Sequence, residues 1–276
     1  MKNNQSSSHK RIIWLYLVLV IGLGAVAVSS IRLWLEYRDN QQAQSYYAAL
    51  AAMIPATTPP VTAPVTVNEP TEVESPPPWQ PYLDFTALQQ TIPDLIAWVR
   101  CPESNIDYPV VWTTDNDFYL SHLPDGTSNP NGSIFLDYRN SPDFTNRNSV
   151  IYGHHLRNGE MFSSLVQYRD QAYYEAHPVV FLSTATIDYE VELIAGYLID
   201  PVREVPPLGF ADNEAFQQYI TGSQQRSYFK TNVTVSDSDR LVTLVTCDFA
   251  IDDGRFLLIG VIREVGGQSW MQAHNP

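Results

Sequence analysis

The sequence predicts a mainly β domain, a closed or nearly closed barrel with several short helices, preceded by one transmembrane helix. Three observations carry this. From residue 106 onward, seven or eight short apolar runs bounded by Asn, Gly and Pro follow one another mostly as strand-turn-strand. Residues 12–31, IIWLYLVLVIGLGAVAVSSI, hold no charged side chain and are long enough to cross a hydrocarbon core. Residues 55–80 are rich in Pro, Thr, Val and Glu, with no period that could bury a face.

The expected organisation is a cytoplasmic tail over 1–11, a signal anchor over 12–35, an extracellular Pro/Thr-rich linker over 36–80 and a folded domain over 81–276. Lys2, Lys10 and Arg11 precede the apolar run, so the positive-inside bias places the N-terminus in the cytoplasm and the body outside. Ala25-Val26-Ala27 resembles a signal-peptide cleavage site, but the apolar run continues past it, which favours an uncleaved anchor. Either way the body is exported. It spans roughly 190 residues, a comfortable size for one domain.

Within the body, Phe85–Val99 has near-helical apolar spacing interrupted by Pro93 and reads as a short helix followed by a break. Ile106–Val111 is strand-like, with Pro109 suggesting an edge or an end. Asn116–Leu120 suits a helical turn. GSIFLDY and NSVIYGH read as buried strands, MFSSLVQY and QAYYEAH as short helices, and VVFLST as another strand. Ile187–Ile199 alternates apolar residues on one face, as a long half-buried strand does. Asp212 is a good N-cap for a helix over Glu214–Tyr228. DRLVTLVTC and GRFLLIGVIRE are the last two strands.

Charge narrows the function. The net charge is −14, and residues 1–40 hold five of the 16 Lys/Arg but only two of the 30 acids, leaving −17 on the rest. So acidic a body does not suit a nucleic-acid partner, and its charge reads as a solubility feature. Two cysteines, Cys101 and Cys247, do not make a disulfide scaffold.

Two segments hold candidate chemistry. YGHHLRNGEMF places His154 and His155 side by side after Gly153. Adjacent strand residues point to opposite faces, so they rarely share one metal ion, and no other set of ligands at metal spacing appears. About ninety positions downstream, TLVTC brings Cys247 to a strand end, and Arg255 opens the next strand. A free cysteine is commonly a buried apolar thiol and a strand-start arginine commonly a solvated charge. Taken together the three types suit acyl transfer. A thiolate is the nucleophile, an imidazolium lowers its pKa and protonates a leaving amine, and a guanidinium stabilises the oxyanion. Asp137 could approach the histidine but reads better as a turn cap. Asp252 and Asp253 read as a solvated turn rather than a calcium site, Cys101 as a core thiol, and His122 and His177 as surface or packing residues.

TLVTC resembles the TLxTC signature of sortases, the cysteine transpeptidases of Gram-positive surfaces, and Arg255 in DDGRF matches the family's arginine on the following strand. IDYPVVWTTDNDFYL, GSIFLD and NSVIYGHHLRNGEMFSSL are similar to class B members, over roughly Ala87–Arg263. The resemblance implies an eight-stranded sortase-type barrel, with an N-terminal helical segment supplied by Phe85–Val99 and a long late helix supplied by Glu214–Tyr228. It implies His154 as the catalytic histidine, Cys247 as the nucleophile and Arg255 as the oxyanion or substrate-positioning group. It implies Asn116, Leu120 and Thr246 as contacts to the sorting signal, and no cofactor or metal. The partners it implies are exported proteins with a C-terminal sorting motif, and an amine from a cell-wall crossbridge or a pilin lysine.

This sequence departs from the family pattern at three positions. His155 replaces the usual Asn, Val245 fills the variable position of TLxTC, and Asp248, which follows the nucleophile, disfavours a thiolate. A catalytically weak peptide-binding protein on the same scaffold is the alternative these departures raise. A hydrolase with water as acceptor differs only in the second step.

Overall fold

The computed structural model describes residues 4–53, 83–248 and 254–265. Helix α1, Asn4–Met53, contains the apolar run and is long and apolar enough to cross a membrane. It continues to Met53, so the first part of the linker expected over 36–80 is helical. Glu36 to Met53 contains no Gly or Pro to stop the helix that the apolar segment starts. The Pro/Thr-rich stretch 54–80 and the Asp252–Asp253 turn lie outside the described residues.

In the body, eight strands among the described residues close a barrel: β1 Leu95–Arg100, β2 Asp107–Val111, β3 Ile134–Leu136, β4 Asn148–Tyr152, β5 Val179–Thr184, β6 Asp188–Ile199, β7 Arg240–Asp248 and β8 Gly254–Val265. Their order around the barrel is β1-β2-β3-β4-β7-β8-β6-β5. The pairs β2–β3 and β4–β7 are parallel, and the others are antiparallel. Closure leaves no open sheet edge.

Four short elements among the described residues accompany the barrel: helix α2, Phe85–Gln89, helix α3, Gln171–Ala176, and two 3₁₀ turns, Ser163–Arg169 and Phe118–Leu120, the latter within the expected turn over Asn116–Leu120. Helix α4, Asn213–Arg226, lies in the chain between β6 and β7. Asp212 caps α4 as expected, its carboxylate accepting from the Ala215 N–H at 2.8 Å.

The segment Phe85–Val99 is a correction. Its helix ends at Gln89, and Leu95–Val99 belongs to β1, paired with both β2 and β5. The apolar run LIAWV satisfies a buried strand as well as a helix, and Pro93 separates the two elements. Pro109 sits at a local edge, as expected: it pairs with Trp98 of β1 on one side, and β3 joins the other side only from Val110 onward.

β7 and β8 are buried on both faces, which explains their near-continuous β-branched and leucine content. Leu241 and Val245 of β7 and Leu257, Ile259 and Val261 of β8 cluster with Phe216 and Ile220 of α4 on the outer face. The alternate residues, Val242, Leu244 and Thr246 with Phe256 and Leu258, are buried facing the barrel interior.

Candidate active site

The site forms where β4 and β7 end side by side. Tyr152 is the register partner of Val245, and the Gly153 N–H donates to the Val245 carbonyl at 3.0 Å. Two residues further along each chain stand His154 and Cys247. On the other side of β7, Val245 pairs with Leu257 and Cys247 with Arg255. Val150, Val245 and Leu257 belong to the outer cluster beneath α4, and Tyr152 packs against it. Side chains two apart on a strand share a face. Cys247 and Arg255 therefore form the next row on that outer face, just beyond the helix-covered core, and His154 follows two residues past Tyr152, where β4 has ended.

Each position has a local cause. A Cβ on Gly153 would come within 2.3 Å of Ile134 Cδ1 and 2.7 Å of Phe162 Cδ2, so only glycine fits before the histidines. The His154 ring places Nε2 2.8 Å from the Leu120 carbonyl oxygen. A carbonyl only accepts, so Nε2 carries the proton and Nδ1 is left to exchange one. Gly132, at φ +61°, makes this packing feasible. Its missing Cβ would lie 2.7 Å and 2.8 Å from the carbonyl oxygens of Tyr119 and Leu120 and 2.9 Å from His154 Cδ2.

The two cysteines differ sharply. Cys101 is buried, its thiol 3.5 Å from the Tyr168 hydroxyl, and burial pushes its pKa up despite that contact. Such a thiol is inert. Cys247 is a free thiol, only partly buried, at the end of β7. Arg255, half-buried, turns one guanidinium nitrogen to the Gly254 carbonyl at 3.2 Å.

The remaining expected residues are placed differently. Leu120 is 42% exposed beside His154, which its backbone carbonyl engages directly. Asn116 uses Oδ1 to accept from the Tyr138 N–H at 3.0 Å, holding the end of β3. Thr246 points away from Cys247 into the barrel, 1% exposed, and its hydroxyl has no partner among the described residues. Alternation beside the nucleophile dictates this. Asp248 ends β7 opposite Gly254, and its side chain lies outside the described residues.

His155 is the residue whose role the sequence left open. Alternation predicts that it faces away from His154, but β4 ends at Tyr152 and its ring reaches the site. Nδ1 lies 2.9 Å from the Cys247 carbonyl oxygen. Asp137, in turn, is a turn residue as expected. It accepts from the Arg139 N–H, pairs with the Arg139 guanidinium at 2.7 Å and accepts from the Tyr152 hydroxyl at 3.1 Å. It therefore braces the strand that leads into Gly153.

A partly exposed thiol, an imidazole and a permanent cation at adjoining strand ends, backed by a packed β core, suit nucleophilic acyl transfer. Comparison with known proteins adds the family. A model of the Sortase domain family matches residues 99–261. The chain is 36% identical to Sortase B of Listeria monocytogenes over 175 residues, 63% of this chain and 71% of that protein. It is 27% identical to Sortase B of Staphylococcus aureus over 169 residues, 61% of this chain and 69% of that protein. The fold superposes on a Staphylococcus aureus sortase B–substrate complex with a TM-score of 0.64 at 26% identity, covering 69% of this chain and 88% of that one. The closed eight-stranded barrel and the family match over most of it lead to one conclusion: the chain belongs to the sortase family of cysteine transpeptidases.

Proposed function

We propose that this transpeptidase cleaves a C-terminal sorting motif on exported proteins through a thioester on Cys247. In this reading the Cys247 thiolate attacks the scissile carbonyl, forming the C–S bond, and Arg255 stabilises the oxyanion. Collapse of the tetrahedral intermediate breaks the C–N bond, and His154 gives its Nδ1 proton to the leaving amine. An incoming amine, from a wall crossbridge or a pilin lysine, then displaces the thiolate and returns a proton to His154. Leu120 borders the substrate face. Asn116 shapes the same border through Tyr138, and Thr246 supports Cys247 from inside the barrel. Helix α1 anchors the enzyme, with the body on the extracellular face of a Gram-positive cell.

The observation that carries the reading is the pairing of Cys247 with Arg255 across β7–β8, with His154 two residues beyond the Tyr152–Val245 pair on the neighbouring strand. Its test is a panel of labelled sorting-type peptides offered with and without a glycine or lysine amine. The expected result is thiol-dependent cleavage, with ligated product when amine is present. Tight binding without any product would favour a peptide-binding protein, and cleavage that ignores added amine would favour a hydrolase.

A further inference from the structure

We infer that His155 is a positioning residue for the nucleophile, holding the main chain of Cys247 through its ring. The inference rests on the reading of Cys247 as the residue that carries the thioester. In the parallel β4–β7 ladder, Gly153 N donates to Val245 O at 3.0 Å. The next acceptor of that kind on β7 is Cys247 O, and regular pairing would supply the His155 main-chain N–H as its donor. His155 is bridged to Met161 on its other side, the His154 carbonyl accepting from the Phe162 N–H at 3.0 Å. Its side chain reaches the β7 acceptor: Nδ1 donates to Cys247 O at 2.9 Å. The strand has left the ladder, and the imidazole continues it by one step.

The clamp stands on a rigid base. The Met161 N–H donates to the Tyr108 hydroxyl at 3.1 Å, and burial pushes the Tyr108 pKa up to about 12, so that phenol stays neutral. Ser163 Oγ accepts from the Leu156 N–H at 2.7 Å and donates to the Leu156 carbonyl. Gly153 is wedged between Ile134 and Phe162. Together these fix the direction in which His155 leaves the backbone. On its far side, β7 is held by the Cys247–Arg255 and Asp248–Gly254 pairs. Fixing the Cys247 carbonyl from the near side completes the restraint on the Cα that carries the thiol. Small displacements of a nucleophile are expensive in rate, which is why a single main-chain clamp matters.

The geometry makes a specific demand, a donor one bond beyond Cγ. Asparagine meets it with Nδ2, glutamine carries its nitrogen one atom too far, and alanine has none. The expected result is that His155→Asn keeps near-native kcat. His155→Ala and His155→Gln should lose kcat by on the order of 10- to 100-fold with little change in KM for the peptide. Thioester formation on Cys247, followed by intact mass in a single turnover, should slow by the same factor, with melting temperatures within a few degrees of the parent. Native rates in the alanine variant, an asparagine variant as slow as alanine, or losses that track the melting temperature would each overturn the inference. If the acyl group instead appears on another residue in the parent enzyme, the reading of Cys247 fails. A native thioester rate on Cys247 in His155→Ala defeats the clamp alone.

Discussion

Cys247 and Arg255 face each other directly across the β7–β8 ladder, at the last pair but one before the connecting loop. Their backbone separation is set by the strand spacing, so the fold holds Arg255 opposite the residue that carries the thiol. Removing the guanidinium should affect chemistry more than stability. Arg255→Ala is expected to lower kcat by on the order of 100-fold or more, as loss of an oxyanion donor does. Arg255→Lys should recover little, because an ammonium lacks the planar fork. Peptide-cleavage kinetics alongside thermal melting check this, with melting expected to change little in either variant.

Gly132 bears on the histidine. Gly132→Ala forces a Cβ against two backbone carbonyls and the His154 ring, at a positive φ. It should destabilise the fold by about 1–3 kcal/mol and also displace His154, lowering kcat. Gly126 has φ +82° with nothing within 4 Å of its missing Cβ, so it isolates the backbone strain. Gly126→Ala should destabilise mildly and leave kcat unchanged. Denaturant melts and kinetics on both variants separate the two effects.

Asp137 gives a pH signature. Burial opposes its ionisation most, yet the Arg139 side-chain and backbone hydrogen bonds win and hold the carboxyl below the usual aspartate range. A depressed folded pKa adds stability that is fully present above the unfolded value, about 3.9. That stability is lost as pH falls through the folded value. Asp137→Asn should therefore melt lower than the parent near neutral pH, and the gap should narrow below about pH 4. Melting temperatures across the acid range test the sign.

Much of this was legible in the residues. β7 and β8 are long runs of Val, Leu, Ile and Thr, and α4 begins at an Asp cap, so each shows in composition and spacing. Local motif context singled out His154, Cys247 and Arg255, and strand register then set Cys247 opposite Arg255. What stayed hidden depends on contacts between distant segments. Leu95–Val99 became a strand because partners on both sides outweighed its helical spacing. Gly132 opens GSIFLDY without any sign of its role, and only the packed His154 ring explains it. His155 appeared to face away because alternation describes side chains on a strand, and the strand had already ended at Tyr152.

The most direct test is to locate the acyl group. The protein is incubated with a sorting-type peptide without acceptor amine, quenched, and weighed intact, together with the Cys247→Ala and Cys101→Ala variants. The expected result is a hydroxylamine-labile mass increase in the parent and in Cys101→Ala, mapping to Cys247, and none in Cys247→Ala. An adduct that persists in Cys247→Ala, or that maps to Cys101, would contradict the account.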